Sequence, residues 1–285
     1  MKTKLNMVGG SFSHEVCSTA FNKNKYVEWD KGLHESPVSF HIDHGVIDIP
    51  VDPSKINYGW LCESSVILPG LVEMILANTD HYKDLYRNIF TYDRRLLVED
   101  PDFFKYSQPP ASSWIQNKQI YKKTKLISFI GSNKRMCPGH NYRQQMIKKY
   151  ENVVDHYGRG FGQRELPSTI NTDFGVESGK ILGLKDYMFS IAMENGVYDD
   201  YYCEKLTDCF STGTIPIYWG SRSIDKYFDV DGVIFLEDLK DLSDLSEELY
   251  QEKSKHIQNN LDLVKNMNTA EDFIYLNYLR EDLNI

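Results

Sequence analysis

The residues best suited to chemistry lie between Tyr187 and Gly220, in the run YMFSIAMENGVYDDYYCEKLTDCFSTGTIPIYWG. An apolar strand pattern ends there in Glu194-Asn195, a polar loop carries Tyr201, and Glu204-Lys205 opens a helical run. A second apolar strand then ends at the Gly220 turn. Lys205 falls in the first turn of its helix, where the macrodipole disfavours a cation by about a few tenths of a kcal/mol or more. An anion sharing the site removes that conflict, because helix-terminal N–H groups and the ammonium then converge on one phosphate. The alternative is an exposed lysine paired with Asp208 or Glu204.

Two further strand ends carry polar chemistry. Residues 125–130 lead into Gly131-Ser132-Asn133, with Arg143 following, and the run after Thr214 ends in Tyr218-Trp219-Gly220. In open α/β sheets ligands sit at the carboxyl ends of strands, where loops converge. Together these ends predict an anionic-ligand cleft in the C-terminal half.

The elements that must position these residues alternate between strand-like and amphipathic helical runs, the pattern of α/β layers. Strands are predicted at residues 5–8, 38–41, 45–49 and 57–61, with helical runs around 72–77 and 81–86. The polar, Pro-containing stretch 108–118 reads as a connection. Beyond it come a strand at 125–130, a helix over 140–152 with Tyr142, Met146, Ile147 and Tyr150 on one side, and a strand at 187–193. A short helix at 204–210 stops near Gly213, strands follow at 214–218 and 233–236, and acidic amphipathic helices cover 246–263 and 270–283. The reading is two α/β domains meeting near residue 118.

Composition bounds the answer. A chain of 285 residues holds one large domain or two small ones and buries a core without disulfide or metal staples. Hydrophobic residues at 41% and charged residues at 26% exclude a disordered or fibrous protein. The most apolar stretch, residues 66–77, is broken by Pro69, Gly70 and Glu73, so no integral membrane segment is expected. The apolar run after Lys4 is too short for a signal-peptide core. Five cysteines without CxxC spacing read as reduced thiols, which points to a cytoplasmic protein. A net charge of −9 argues against nucleic acid as a partner, yet residues 119–164 carry +8 between flanks of −3 and −14. That segregation suggests a local anion site such as a phosphate, or a solvated basic helix face.

The 187–220 block resembles the donor-binding region of the family 10 glycosyltransferases, the α1,3/α1,4-fucosyltransferases. Their pattern runs (K/Y)-x-F-x-(I/L)-x-x-E-N, then Y-x-x-E-K, then (T/S)-(I/V)-P-(I/V) and a Gly turn. Phe189, Glu194, Asn195, Tyr201, Glu204, Lys205, Thr214, Pro216 and Gly220 match it. The run Ile215 to Ser221 is similar to the bacterial members in particular, and the likeness extends more loosely from Ser128 to about Asp238. By that resemblance Glu204-Lys205 binds the ribose hydroxyls and diphosphate of GDP-fucose, with Glu194, Asn195 and Tyr201 in the same pocket. Arg143 falls where the family places an arginine on the diphosphate, and its planar fork suits phosphate oxygens. The local spacing there departs from the family's, which leaves Arg135 as a rival. Glu63, in Tyr58-Gly-Trp-Leu-Cys-Glu63-Ser64, matches the family's catalytic base. A carboxylate flanked by Trp60 and Cys62 is expected to hold a raised pKa, suited to accepting a hydroxyl proton. The other reading of Glu63 is a cap on the following turn.

The resemblance implies a GT-B-like α/β fold: two Rossmann-like domains facing each other across a cleft, 1–118 on the acceptor side and 119–285 on the donor side, with the C-terminal helices packing across or returning to the first. It implies inverting transfer of fucose from GDP-fucose to a glycan hydroxyl, with nucleotide-sugar donor and glycan acceptor as partners. No cofactor or metal is required, and divalent ions act at most as stimulants. The alternatives are a GT-B transferase of another nucleotide sugar and a non-catalytic glycan- or nucleotide-binding protein. Asp229-Val230-Asp231 has the form of a metal-binding DxD but reads as a turn before the next strand. His41-Ile42-Asp43-His44 reads as a polar strand end, because strand alternation points the two histidines apart.

Overall fold

Residues 2–9, 17–30, 35–160, 164–173 and 175–283 are described by the computed structural model, and they divide into two α/β units. The first comprises residues 1–111, 198–201 and 268–285, and the second 112–197 and 202–267.

In the first unit the chain runs β1 (Thr3–Val8), β2 (Val27–Asp30), β3 (Val38–Ile42), α1 (Gly45–Asp48) and β4 (Ile56–Trp60). It continues through α2 (Leu71–Ala77), α3 (Thr79–Leu85), β5 (Asn88–Thr91), α4 (Arg94–Glu99) and β6 (Phe104–Tyr106). The six strands pair in the order β2-β1-β3-β4-β5-β6, parallel throughout. Burying both faces of a parallel sheet explains why β3 reads as a continuous run with all five positions inside. Trp29, Phe40, Tyr58, Trp60 and Phe90 form the aromatic centre of its core.

The second unit begins β7 (Lys125–Ile130), α5 (Pro138–Lys149), β8 (Asp155–Tyr157) and the antiparallel hairpin of β9 (Thr169–Thr172) and β10 (Gly175–Ser178). A 3-10 turn at Gly179–Gly183 leads to β11 (Tyr187–Met193), α6 (Glu204–Thr212), β12 (Ile215–Trp219) and β13 (Ile234–Phe235). Helices α7 (Glu247–Glu252) and α8 (Ser254–Asn266) complete it. Its parallel sheet has the order β13-β12-β11-β7-β8. From β7 the chain first adds β8 on one side and later adds β11 on the other. The strand order therefore reverses between β7 and β11, the kind of point where such sheets bind ligands.

The division differs from the predicted 1–118 and 119–285 at both ends. Residues 112–118 belong to the second unit, because Ser113 and Trp114 donate to Asp208 while the N–H groups of Gln116 and Asn117 donate to Glu177. The final residues return to the first unit through α9 (Ala270–Ile274), a π-helical turn and α10 (Arg280–Asp282). There buried Glu271 accepts from Ser18 and from the Trp29 indole, and Asp272 accepts from the backbone of Lys25 and Tyr26. Residues 45–49 were expected as a strand, but 45–48 form α1: β3 stops at Ile42 and Asp43 turns the chain at φ 49°. The short strands β2, β5, β6 and β8 escaped the sequence reading because three or four residues are too few to establish a period. No helix among the described residues is long and apolar enough to cross a membrane.

Candidate functional site

The carboxyl ends of β7 and β11 bring the predicted cationic residue to the predicted turn. Helix α5 starts with Pro138, whose missing N–H costs nothing in the first turn. At Gly139 the helix lies against the turn after β11, where a Cβ atom would stand 2.2 Å from the Asn195 carbonyl oxygen. Only glycine permits that approach. One turn later Arg143 is 4% exposed, and its Nη2 donates to the Met193 carbonyl at 2.9 Å. Its Nε is buried and has no hydrogen-bond partner among the described residues. Arg143 and Asn195 thus share one corner, whereas Arg135 is exposed on the loop before α5.

Glu194 is fully buried and supplies what α6 lacks. The helix begins after Cys203 with no side-chain cap, and Glu194 Oε1 accepts the Cys203 N–H at 3.0 Å and the Tyr218 hydroxyl at 3.2 Å. Burial raises the Glu194 pKa, with the Lys205 charge pulling the other way. The anion at this helix N-terminus is therefore the protein's own carboxylate. Lys205 is half-buried beside it, 3.0 Å from Cys203 Sγ and 3.9 Å from Glu204. Burial disfavours its ammonium, but the neighbouring Cys203, Glu204 and Glu194 together outweigh that and hold the proton more firmly than on an ordinary lysine.

Lys180, which the sequence reading passed over, completes the group. From the 3-10 turn before β11 its Nζ reaches Glu204 Oε1 and Asp208 Oδ2, each at 2.9 Å, and lies 4.0 Å from the Trp114 ring centre. The partner of Asp208 is thus Lys180, not Lys205. Burial raises the acid pKa of Asp208 against the pull of Lys180. For Glu204 the burial effect is overcome by Lys180 and Lys205, which keep its carboxylate well below the usual range. Lys180, Lys205 and Asp208 line a small hollow with Ile130, Ser190 and Ala192. No local spacing announces Lys180, because its partners lie 24 and 28 residues downstream.

Two predicted site residues stand in the first unit. Tyr201 is 5% exposed and its ring packs on Tyr92 at 4.8 Å. Glu63 lies on the turn after β4, exposed to solvent. Its carboxylate makes no hydrogen bond or ion pair among the described residues, so it is not a cap. Only its backbone is held, by Asp43 and by the Tyr92 hydroxyl. Glu63 lines a small hollow together with Ser65, Thr91, Tyr92 and Asp93.

The two other motifs are structural. Asp229 caps the 3-10 turn Val230–Gly232 and accepts from His256 and Asn259 of α8, as a turn reading requires. Asp229, Asp231 and His256 do bring ligand atoms within 4.8 Å of one another. His41 is buried with Nδ1 3.2 Å from the Gly45 carbonyl, and Asp43 accepts the Cys62 N–H, so neither is directed to a shared ion.

Comparison with known proteins places these features. Residues 120–260 match glycosyltransferase family 10 (fucosyltransferase), C-terminal region. The GDP-fucose protein O-fucosyltransferase 3 of Xenopus tropicalis is 31% identical over 210 residues, 66% of this chain and 44% of that protein. A putative fucosyltransferase of Acanthamoeba polyphaga mimivirus is 24% identical over 256 residues, 84% of this chain and 41% of that protein. The chain thus spans less than half the length of these two curated relatives. A crystal structure of an α1,3-fucosyltransferase with GDP-fucose superposes with a TM-score of 0.51 at 15% identity, covering 94% of this chain and 82% of the other. That likeness concerns the fold, which is GT-B-like with two Rossmann-like units.

Proposed function

We propose that this chain, which matches the family 10 glycosyltransferases through residues 120–260, transfers fucose from GDP-fucose to a hydroxyl of a glycan acceptor. The observation that carries the reading is the gathering of Arg143, Asn195, Glu204 and Lys205 around the reversal of strand order in the second unit. Arg143 and Lys205 take the diphosphate, Glu204 the ribose hydroxyls, and Asn195 a further donor contact. Glu194 acts from behind, fixing the start of α6 and hence the direction of Lys205.

In the transfer the bond from fucose C1 to the diphosphate oxygen breaks as the acceptor oxygen attacks from the opposite face, which inverts the anomeric carbon. Negative charge grows on the leaving diphosphate, where fixed cations in a water-poor site are worth most. The acceptor proton passes to Glu63. Because Arg143 and Lys205 supply the positive charge, the reaction proceeds without a required metal, and a divalent ion stimulates at most.

GDP titration into the protein by calorimetry, with and without EDTA, tests this reading. GDP is expected to bind equally in both, and at 100 times its Kd to stabilise the fold by about 2.7 kcal/mol. Binding that disappears in EDTA and returns with manganese would reject the phosphate chemistry. Preference for UDP or CMP would reject the donor. Binding of GDP-fucose without transfer or hydrolysis would leave a binding protein.

A further inference from the structure

We propose that Lys180 is a positioning residue of this site: it engages Glu204 and Asp208 so that the Lys205 ammonium remains available to an anionic diphosphate. The proposal rests on the nucleoside-diphosphate reading of the site given above.

Three carboxylates, Glu194, Glu204 and Asp208, are gathered within and around the first turns of α6. Glu204 and Asp208 are four residues apart on one helix face, where like charges repel. Lys180 sits between them at 2.9 Å from each, while Lys205 stands 3.9 Å from Glu204. The nearer cation to Glu204 is therefore Lys180, not its own neighbour in sequence.

The arrangement around Lys180 is built rather than incidental. Its side chain is 18% exposed, Trp114 covers the ammonium at 4.0 Å, and Ser113 Oγ and the Trp114 N–H donate to the same Asp208 that Lys180 holds. A lysine so enclosed loses much rotamer freedom, and a surface ion pair would not return that cost. Lys180 and Lys205 also line the same pocket, so removing one charge changes the potential at the other. Without Lys180, Glu204 has Lys205 as its near cation and Asp208 has lost its own. Glu204 then competes with an incoming diphosphate for Lys205, and the uncompensated Asp208 repels it.

The test is calorimetric GDP titration of the full chain as wild type, Lys180→Met, Lys180→Arg and the double variant Lys180→Met/Asp208→Asn, each with its unfolding temperature. Lys180→Met is expected to bind GDP about tenfold more weakly or worse. Lys180→Arg keeps the charge and is expected to recover most of the affinity. The double variant removes one carboxylate together with its counter-charge and is expected to recover affinity although the lysine is absent. A purely structural lysine would give no such recovery. Should Lys180→Met fail to fold, the arginine and double variants carry the test. Wild-type affinity in Lys180→Met, or a folded double variant that binds as poorly as the single one, overturns the proposal. A wild-type chain that does not bind GDP at all removes the nucleotide reading itself, and this proposal with it.

Discussion

The β7–β11 corner of the second unit and the Glu63 turn of the first are built on opposite plans. In the corner every ionisable group has a partner or is packed under others: Arg143 on the Met193 carbonyl, Glu194 on the start of α6, and Lys180 between two carboxylates. At the turn only the backbone of Glu63 is fastened, and the carboxylate stands in solvent. The difference fits the two roles proposed for them. Charge that grows on a leaving group is stabilised best by dipoles and ions already in place, because reorganising them during the reaction costs free energy. A proton acceptor needs reach and the right protonation state, and its contact tightens only when substrate arrives.

The sharpest way to break this contrast is Glu63→Gln. Gln keeps shape and hydrogen-bonding reach but takes no proton, so kcat is expected to fall by roughly 10²–10⁴ with GDP affinity nearly unchanged. Steady-state rates with a transferable acceptor, set beside calorimetry, decide it. Wild-type turnover would move the base elsewhere in the first unit.

In the corner the expected effect is on binding. Arg143→Lys replaces a planar fork with a point charge and should weaken GDP by about 10–100-fold, the worth of one or two charged hydrogen bonds. The same titration on Arg135→Ala should show a change of about twofold or less, since exposed surface substitutions are usually small. The reverse order would transfer the diphosphate contact to the loop.

A smaller, structural effect sharpens the comparison. Gly139→Ala places a methyl 2.2 Å from backbone that cannot move aside cheaply. Thermal or urea unfolding should show a loss of about 1–3 kcal/mol, typical of overpacking, together with weaker GDP binding as Arg143 shifts. Alanine at Gly70, where φ is +81° but no atom lies within 4 Å of the added carbon, should lower stability and leave GDP binding untouched.

Much of the corner was legible in the sequence because its constraints are local. The strand of residues 187–193 was found with its full boundaries, since a strand buried on both faces must be apolar throughout. Glu194, Asn195, Glu204 and Lys205 follow at short spacing, so the strand end and the helix start position them together. The Glu63 turn left a weaker trace, for a carboxylate on an exposed turn asks little of its neighbours. The packing of the Tyr201 ring on Tyr92, a partner more than a hundred positions away, had no local signal.

What the sequence determined by itself is therefore the alternation of strands and helices, the parallel α/β class, and the block whose residues act within one or two elements of each other. Period, apolar runs and the glycine that ends α6 at φ +69° are properties of neighbouring residues, and they are readable in one dimension. Only the tertiary structure decided that β7 and β11 are adjacent and that Gly139 makes room for Asn195. It alone assigned Lys180 to Glu204 and Asp208. Those outcomes depend on strand order and on which buried charge finds which counter-charge, and such long-range pairings leave no period along the chain.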